Sequence, residues 1–281
     1  MRTTRLNGHE IDFDVSGAAT DEPALLLLSG WCQDHRLFSR VLPILAGERR
    51  VIRMDWRGHG TRRTVAGDFG PEEMADDAAA LLDELAVPRV VPVSTSHGGW
   101  ANLELADRLG VARVPRLVVV DWLVRRASPE FIEGLRTGYH PGTWREGRQE
   151  LFDLWLDRSD DSGVRRHLYE EMAGFDEEMW TRSCRVIEAA YATWGSPLER
   201  MLAIKQERPI AHLFSQPSDI EHRREQRAFS AEHPWFQPRW LGGPTHFPTL
   251  DSPETISEAI LAFTAGLAFT AGLAFTAGAG G

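Results

Sequence analysis

Val93-Ser94-Thr95-Ser96-His97-Gly98-Gly99-Trp100 is the stretch on which the fold of this chain turns. An apolar, β-branched run over Val90 to Val93 leads into it and a helical pattern starts at Gly99, so Ser96 falls on the sharp turn between a buried strand and a helix. Such a turn is strained and needs small residues two positions either side of the exposed hydroxyl. Ser94 and Gly98 meet that need, with serine standing where a glycine is usual. A serine before a helix is also what a plain N-cap looks like, so the reading needs support from elsewhere in the chain.

Four features supply it. Ala24 to Ser29 is a buried-strand run ending in Gly30-Trp31-Cys32, where a backbone donor for an oxyanion belongs. Asp55-Trp56-Arg57-Gly58-His59-Gly60 follows a strand pattern at Arg50 to Met54. Gly242-Gly243-Pro244-Thr245-His246-Phe247-Pro248 reads as a late histidine loop. The chain order is then Ser96, Asp121, His246, the order of serine, acid and histidine in the α/β-hydrolase fold.

The rest of the pattern agrees. A hairpin over Arg2 to Leu6 and Glu10 to Val15 is closed by Asn7-Gly8. Strands at Ala24 to Ser29, Arg50 to Met54, Val90 to Val93 and Leu117 to Val120 alternate with helix patterns at Leu37 to Leu45, Met74 to Leu85 and Ala101 to Leu109. This predicts an α/β protein with a mostly parallel, doubly wound sheet. No convincing strand falls between about 128 and 200, where helix-like, tryptophan-bearing stretches such as Glu150 to Asp157 and Asp176 to Ala192 predict an inserted helical cap. Core residues 1–127 and 201–266 flank it, with strands at Pro209 to Ser215 and Trp235 to Leu241 and a last helix at Glu254 to Ala265. Leu261 to Gly266 recurs as 267–272 and 273–278. A hexamer is too short for a repeat architecture, and 267–281 is expected to be a poorly ordered tail.

At 281 residues with 42% apolar content, one large α/β domain has enough material for its core. A formal net charge of −10 without a Lys/Arg cluster argues against nucleic acid as a partner. No stretch approaches the roughly 20 apolar residues of a membrane span. Two cysteines, Cys32 and Cys184, make no disulfide framework, and the first residues lack a signal-peptide pattern, so a cytoplasmic location is expected. None of the ten histidines is followed two residues later by Asp or Glu, and H-E-x-x-H is absent, which removes the common openings of iron and zinc sites.

As hydrolase machinery, His246 would take the Ser96 Oγ proton, a carboxylate would orient His246, and the amides of Trp31 and His97 would hold the oxyanion. Two carboxylates compete. Asp219 occupies the usual acid position after Pro209 to Ser215, while Asp121 closes the preceding core strand; either is also readable as a loop cap. His35 and His59 read as structural, and Trp100 and Trp122 as packing residues.

Taken together, Gly30-Trp31-Cys32, Asp34-His35-Arg36, Trp56 to Gly60, Ser96 to Trp100, Asp121-Trp122, Leu151-Phe152-Asp153 with Trp155-Leu156-Asp157, Ser215-Gln216-Pro217, His233 to Phe236 and Gly242 to Pro248 resemble the bacterial cofactor-free 3-hydroxy-4(1H)-quinolone 2,4-dioxygenases. The likeness covers about residues 10–260. It implies ring opening with O2, without metal or organic cofactor, to carbon monoxide and an N-acylanthranilate. It also implies His246 as general base, Asp121 as its orienting carboxylate and Ser96 as a hydrogen-bonding group for the 3-hydroxyl. Gln33 departs from the family pattern, where histidine can stand, and is a candidate substrate contact, as are Trp31, His97 and Trp155. The expected partners are a small N-heteroaromatic molecule and O2, acted on by a monomer or homodimer. A 2-alkyl substrate such as 2-heptyl-3-hydroxy-4(1H)-quinolone is preferred, its tail against Phe131, Ile132, Phe152, Leu156 and Trp180. The alternatives are a serine esterase or amidase with Ser96 as nucleophile, and a non-catalytic ligand sensor.

Overall fold

A computed structural model describes residues 1–61, 63, 67–156 and 159–266; the repetitive tail at 267–281 lies outside the described residues. Eight strands form one sheet in the order β1-β2-β4-β3-β5-β6-β7-β8. They are β1 Arg2–Leu6, β2 His9–Ser16, β3 Ala24–Leu28, β4 Val51–Met54, β5 Val90–Thr95, β6 Leu117–Val120, β7 Ile210–Phe214 and β8 Phe236–Trp240. The β1 and β2 hairpin is antiparallel and β2 pairs antiparallel with β4; every later pairing is parallel. Asn7 and Gly8 both take positive φ, which is what their turn demands of the residues it is built from.

The parallel strands read as continuous apolar runs because helices cover both faces. Leu25, Leu26, Leu27 and Leu28 on β3 are all fully buried. The crossovers are α1 Leu42–Glu48, α2 Pro71–Glu84, α3 Gly98–Arg113 and α9 Ile220–Glu232, with α10 Pro248–Asp251 and α11 Pro253–Thr264 closing the chain. The continuous helix expected over Leu37 to Leu45 is instead a short 3₁₀ turn at His35–Phe38 followed by α1. Pro43 explains the break, since proline starts a helix but cannot sit within one. Helix α9, which crosses from β7 to β8, has no counterpart in the pattern read from sequence.

Between β6 and β7 the chain is helical: α4 Pro129–Tyr139, α5 Trp144–Leu156, α6 Ser162–Arg166, a π-helical stretch His167–Met172, α7 Glu177–Trp194 and α8 Pro197–Leu202. Buried Arg200 on α8 bonds Glu104 at 3.0 Å and Asp107 at 2.8 Å on α3, and so ties this helical layer to the sheet's own helices. Tyr191 Oη donates to Leu123 O at 2.8 Å, fixing α7 to the segment that leaves β6. The space between these helices and the carboxyl ends of the parallel strands is where the site forms.

Candidate active site

Ser96 follows β5 directly and adopts φ 47°, a left-handed backbone conformation rare for a residue with a β-carbon. The strain is held by packing around it. A β-carbon on Gly98 would lie 2.3 Å from Ser29 O, so only glycine fits there. Ser94 substitutes for the usual glycine because its hydroxyl is satisfied: it accepts from Asn102 Nδ2 at 2.9 Å. A β-carbon on Gly30 would stand 3.3 Å from Ser96 Cβ, which shows how closely the loop after β3 abuts the elbow. Trp100 and Trp122 meet edge to face at 4.9 Å behind it, as packing residues do.

His246 Nδ1 lies 3.5 Å from Asp121 Oδ1. That is ion-pair distance and long for a hydrogen bond, a separation that catalytic pairs shorten once ligand binds. Asp121 ends β6 at φ 44°. Its carboxylate accepts from the backbone amides of Ser215 and Gln216, each at 2.9 Å, so two donors on the segment after β7 aim it at the histidine loop. The other carboxylate is placed elsewhere: Asp219 is exposed and caps α9, accepting from His222 N at 2.7 Å. The histidine loop is pinned by Asp251, which accepts from Thr245 N at 3.0 Å, from Thr245 Oγ1 and from Ser252 Oγ at 2.7 Å. Burial, and the nearby Asp121 charge after its own hydrogen bonds, leave the Asp251 carboxyl raised above the ordinary range.

Ser96 makes its backbone bond to Val120 O at 2.8 Å, while its Oγ makes no hydrogen bond to His246 among the described residues. Instead the face of His246 is covered by Trp155, whose ring stacks on it at 5.1 Å with 13° between planes. A tryptophan face there favours a positive charge on the imidazole. Trp155 thus both lines the cavity, where the sequence reading puts it against substrate, and covers the histidine.

His97 is stacked on Phe131 at 6.1 Å and meets Tyr191 edge-on at 6.0 Å. Its Nδ1 is buried with no hydrogen-bond partner among the described residues. Burial, with the His246 charge nearby, pushes its pKa down to about 3, so the ring is neutral in any ordinary buffer. Gln33 is buried, and its Oε1 is engaged by Gly30 N at 2.9 Å and Thr95 Oγ1 at 3.3 Å. Trp31 stacks on Phe69 at 5.4 Å.

A cavity of about 850 Å³ joins these groups. Trp31, Gln33, Ser96, His97, Asp121, Trp155 and His246 all line it, so the residues singled out from sequence meet in one space. Its cap side is largely apolar, with Phe131, Leu135, Leu151, Leu154, Trp180 and Ile187 beside the polar Glu130, Glu150 and Ser183, and among the described residues no Lys or Arg lines it. Of the five residues expected along a tail channel, Phe131 and Trp180 line the cavity; Ile132, Phe152 and Leu156 do not. Phe152 is instead packed inside the helical layer against Trp155, Tyr169 and Trp180. The segment Ser215 to Pro217 enters the sequence reading only as part of the family resemblance; that the Ser215 and Gln216 amides hold Asp121, and that Gln216 and Pro217 line the cavity, is visible only in the fold.

Among the described residues, Asp34, His35 and Asp55 bring potential metal donors within 4.8 Å of one another. Their atoms are already used. Asp34 is bound by Arg36 through Nε at 2.9 Å and Nη2 at 2.5 Å, and Asp55 accepts from His35 N and pairs with His35 Nδ1, both at 2.7 Å. Burial opposes charge on His35, but Asp55 more than compensates and raises its pKa. The cluster is a loop anchor.

A family model described as the alpha/beta hydrolase family matches residues 25–259. The chain is 44% identical to the 1H-3-hydroxy-4-oxoquinoline 2,4-dioxygenase of Pseudomonas putida, with 94% of this chain and 99% of that protein covered. It is 42% identical to the 2-heptyl-3-hydroxy-4(1H)-quinolone dioxygenase of Mycobacteroides abscessus, over 95% of this chain and 98% of that one. Among solved structures, an AqdC variant in complex with its substrate, in work on ring cleavage of the Pseudomonas quinolone signal, superposes with a TM-score of 0.92 at 42% identity, covering 94% of this chain and 99% of that one. A thermophilic esterase from Thermogutta terrifontis shares the fold at a TM-score of 0.75 and 21% identity, covering 95% and 99% of the two chains.

Proposed function

This chain belongs to the alpha/beta hydrolase family and, within it, to the 3-hydroxy-4-oxoquinoline 2,4-dioxygenases, and from that premise we propose how its site opens the ring. It is a ring-cleaving dioxygenase of 3-hydroxy-4-quinolones rather than a serine esterase. The observation that carries the mechanism is the pairing of His246 with an Asp121 that two backbone amides hold in place, facing an apolar cavity while Ser96 Oγ is left free of the histidine.

His246 takes the proton of the substrate's 3-hydroxyl, and Asp121 and the Trp155 face favour the imidazolium that results. Ser96 Oγ hydrogen-bonds the 3-oxygen. The amides of Trp31 and His97, which have no acceptor among the described residues, hold the oxygen at C4, where negative charge accumulates. The electron-rich anion itself reduces O2, so the reaction needs a base, fixed donors and a dry space. Oxygen bonds form at C2 and C4, the C2–C3 and C3–C4 bonds break, and C3 leaves with its own oxygen as carbon monoxide. Both atoms of O2 stay in the N-acylanthranilate, one on the amide and one on the carboxylate. On this reading the enzyme is cofactor-independent and works in the cytoplasm. The apolar wall of Phe131, Leu135, Leu151, Leu154 and Ile187 favours a 2-alkyl substituent such as heptyl. In a cell such turnover would remove a quorum-sensing signal.

The deciding experiment mixes metal-stripped protein with 2-heptyl-3-hydroxy-4(1H)-quinolone under argon, then admits air. A red-shifted anion spectrum before air and carbon monoxide after it are expected. No anion and no carbon monoxide, with the 2-methyl and unsubstituted compounds as well, would overturn this mechanism.

A further inference from the structure

The Trp31 amide belongs to the peptide unit between Gly30 and Trp31, and the units on both sides of it are held by side chains. On one side Gly30 N–H donates to Gln33 Oε1 at 2.9 Å. On the other, Cys32 N–H donates to His59 Nε2 at 3.1 Å. The second bond matters more, because Cys32 sits at φ 56°, a conformation a residue with a β-carbon keeps only when its surroundings impose it.

His59 is fixed in the one state that can make this bond. Its Nδ1 lies 3.0 Å from Arg57 O, and a carbonyl only accepts, so Nδ1 carries the proton and Nε2 presents a lone pair. The ring is 1% exposed and packed by Trp31, Phe69 and, from the helical layer, Phe175 at 5.2 Å. Burial pushes its pKa down to about 4, which keeps Nε2 an acceptor throughout the neutral range. His59 does not line the cavity.

We propose that His59 is a positioning residue that acts through Cys32, holding the backbone so that the Trp31 amide points at the substrate oxygen that gains charge. The inference rests on the anion-holding role of Trp31 argued above. It gives a function to a histidine that the sequence marks only as part of a loop motif, and it ties the donor's aim to the packing of the helical layer through Phe175.

Two isosteric variants separate this role from a structural one. The Gln of H59Q places a carbonyl where Nε2 stands, whereas the Asn of H59N replaces only the Nδ1 side and leaves Cys32 N without an acceptor. The measurements are the pH at which bound quinolone ionises under argon, followed by absorbance, kcat and KM in air, and the melting temperature. We expect H59N to ionise the quinolone at a pH about one unit higher and to lose about 10- to 30-fold in kcat with KM little changed. H59Q is expected to recover to within about threefold of wild type, since the acceptor is restored. A folded H59N that ionises the quinolone as wild type does, or an H59Q as impaired as H59N, would overturn the proposal. Should H59N not fold, ¹⁵N NMR of wild-type histidines decides: His59 Nε2 must be unprotonated and shift on quinolone binding, and a protonated or unresponsive Nε2 overturns it. Failure of wild type itself to ionise the quinolone under argon is a different outcome, and counts against the catalytic reading of His246.

Discussion

Asp121 ends a core strand in a left-handed conformation, a position that costs about 1 kcal/mol or more and is kept only where the surroundings over-determine it. What over-determines it is the pair of hydrogen bonds from the Ser215 and Gln216 amides, one to each carboxylate oxygen, which also fix the orientation in which Oδ1 faces His246. Replacing Asp121 by Asn keeps the shape but turns an acceptor toward two donors into an amide, removes the charge that stabilises imidazolium, and is expected to lower kcat/KM by about 100-fold or more. Asp219→Asn is the matched control: asparagine caps a helix as well as aspartate, so steady-state activity and melting temperature should both stay at wild-type values. A larger loss in Asp219→Asn would contradict the assignment. Ser96→Ala is expected to cost about tenfold, the worth of one hydrogen bond to a charged oxygen, with no covalent acyl-enzyme to lose; complete loss in a folded variant would restore the nucleophile reading. In sequence Asp121 is favoured over Asp219, yet both stay readable as loop caps, because both are acids that follow a core strand. What separates them is which backbone amides converge on each, and those of Asp121 come from a segment 94 and 95 residues away.

At the level of elements, the elbow between β5 and α3 stands on close backbone approach. A methyl on Gly98 would have to displace Ser29 O from 2.3 Å, and neither strand nor helix can yield without moving Ser96 and the loop that carries Trp31. Gly98→Ala should therefore destabilise by about 2–3 kcal/mol and remove most activity. Gly47→Ala on α1, where a β-carbon meets nothing within 4 Å, should stabilise by about 0.5–1 kcal/mol. Urea unfolding of the two variants checks the pair, and a neutral Gly98→Ala would mean that the elbow is not strained by packing. The elbow, the parallel strands and the histidine loop were legible in sequence because buried runs, small residues and strand-to-helix turns leave local marks. The cavity wall was not. Helix α5 is apolar on more than one face, and adjacent residues are about 100° apart around a helix, so Leu151, Leu154 and Trp155 reach the cavity while Phe152 and Leu156 pack into the layer behind. Only the docking of α5 on its neighbours sets that phase.

Over the whole molecule, burial has been bought for several histidines at the cost of their charge. His59, His97 and His212 are held neutral, with pKa values pushed by desolvation to about 4, about 3 and about 3. The unfolded chain protonates each near pH 6.5, so between that pH and the folded value the unfolded state binds more protons and stability falls as the pH falls. Their full contribution is present above pH 6.5. His35, raised by Asp55 against the effect of its burial, has the opposite sign and changes stability only above pH 6.5, so it adds no slope below it. Asp34, Asp161 and Glu171, whose pKa values end up depressed by their partners despite burial, lose their contribution lower down, below about pH 4. His212 is the one of the three that lies outside the cavity lining and bonds no loop of the site; it sits on β7, its Nδ1 2.5 Å from Gln226 Oε1. Comparing wild type with His212→Gln cancels the titrations remote from it, and the one coupled neighbour, His222, keeps its own bond to Gln226. The unfolding free energy of wild type, measured in urea from pH 6 to pH 5, should fall more steeply than that of the variant by one proton's worth, about 1.4 kcal/mol per pH unit. Equal slopes would show that His212 gains its proton in the folded protein without cost, against the burial of its ring between Phe214 and Phe236.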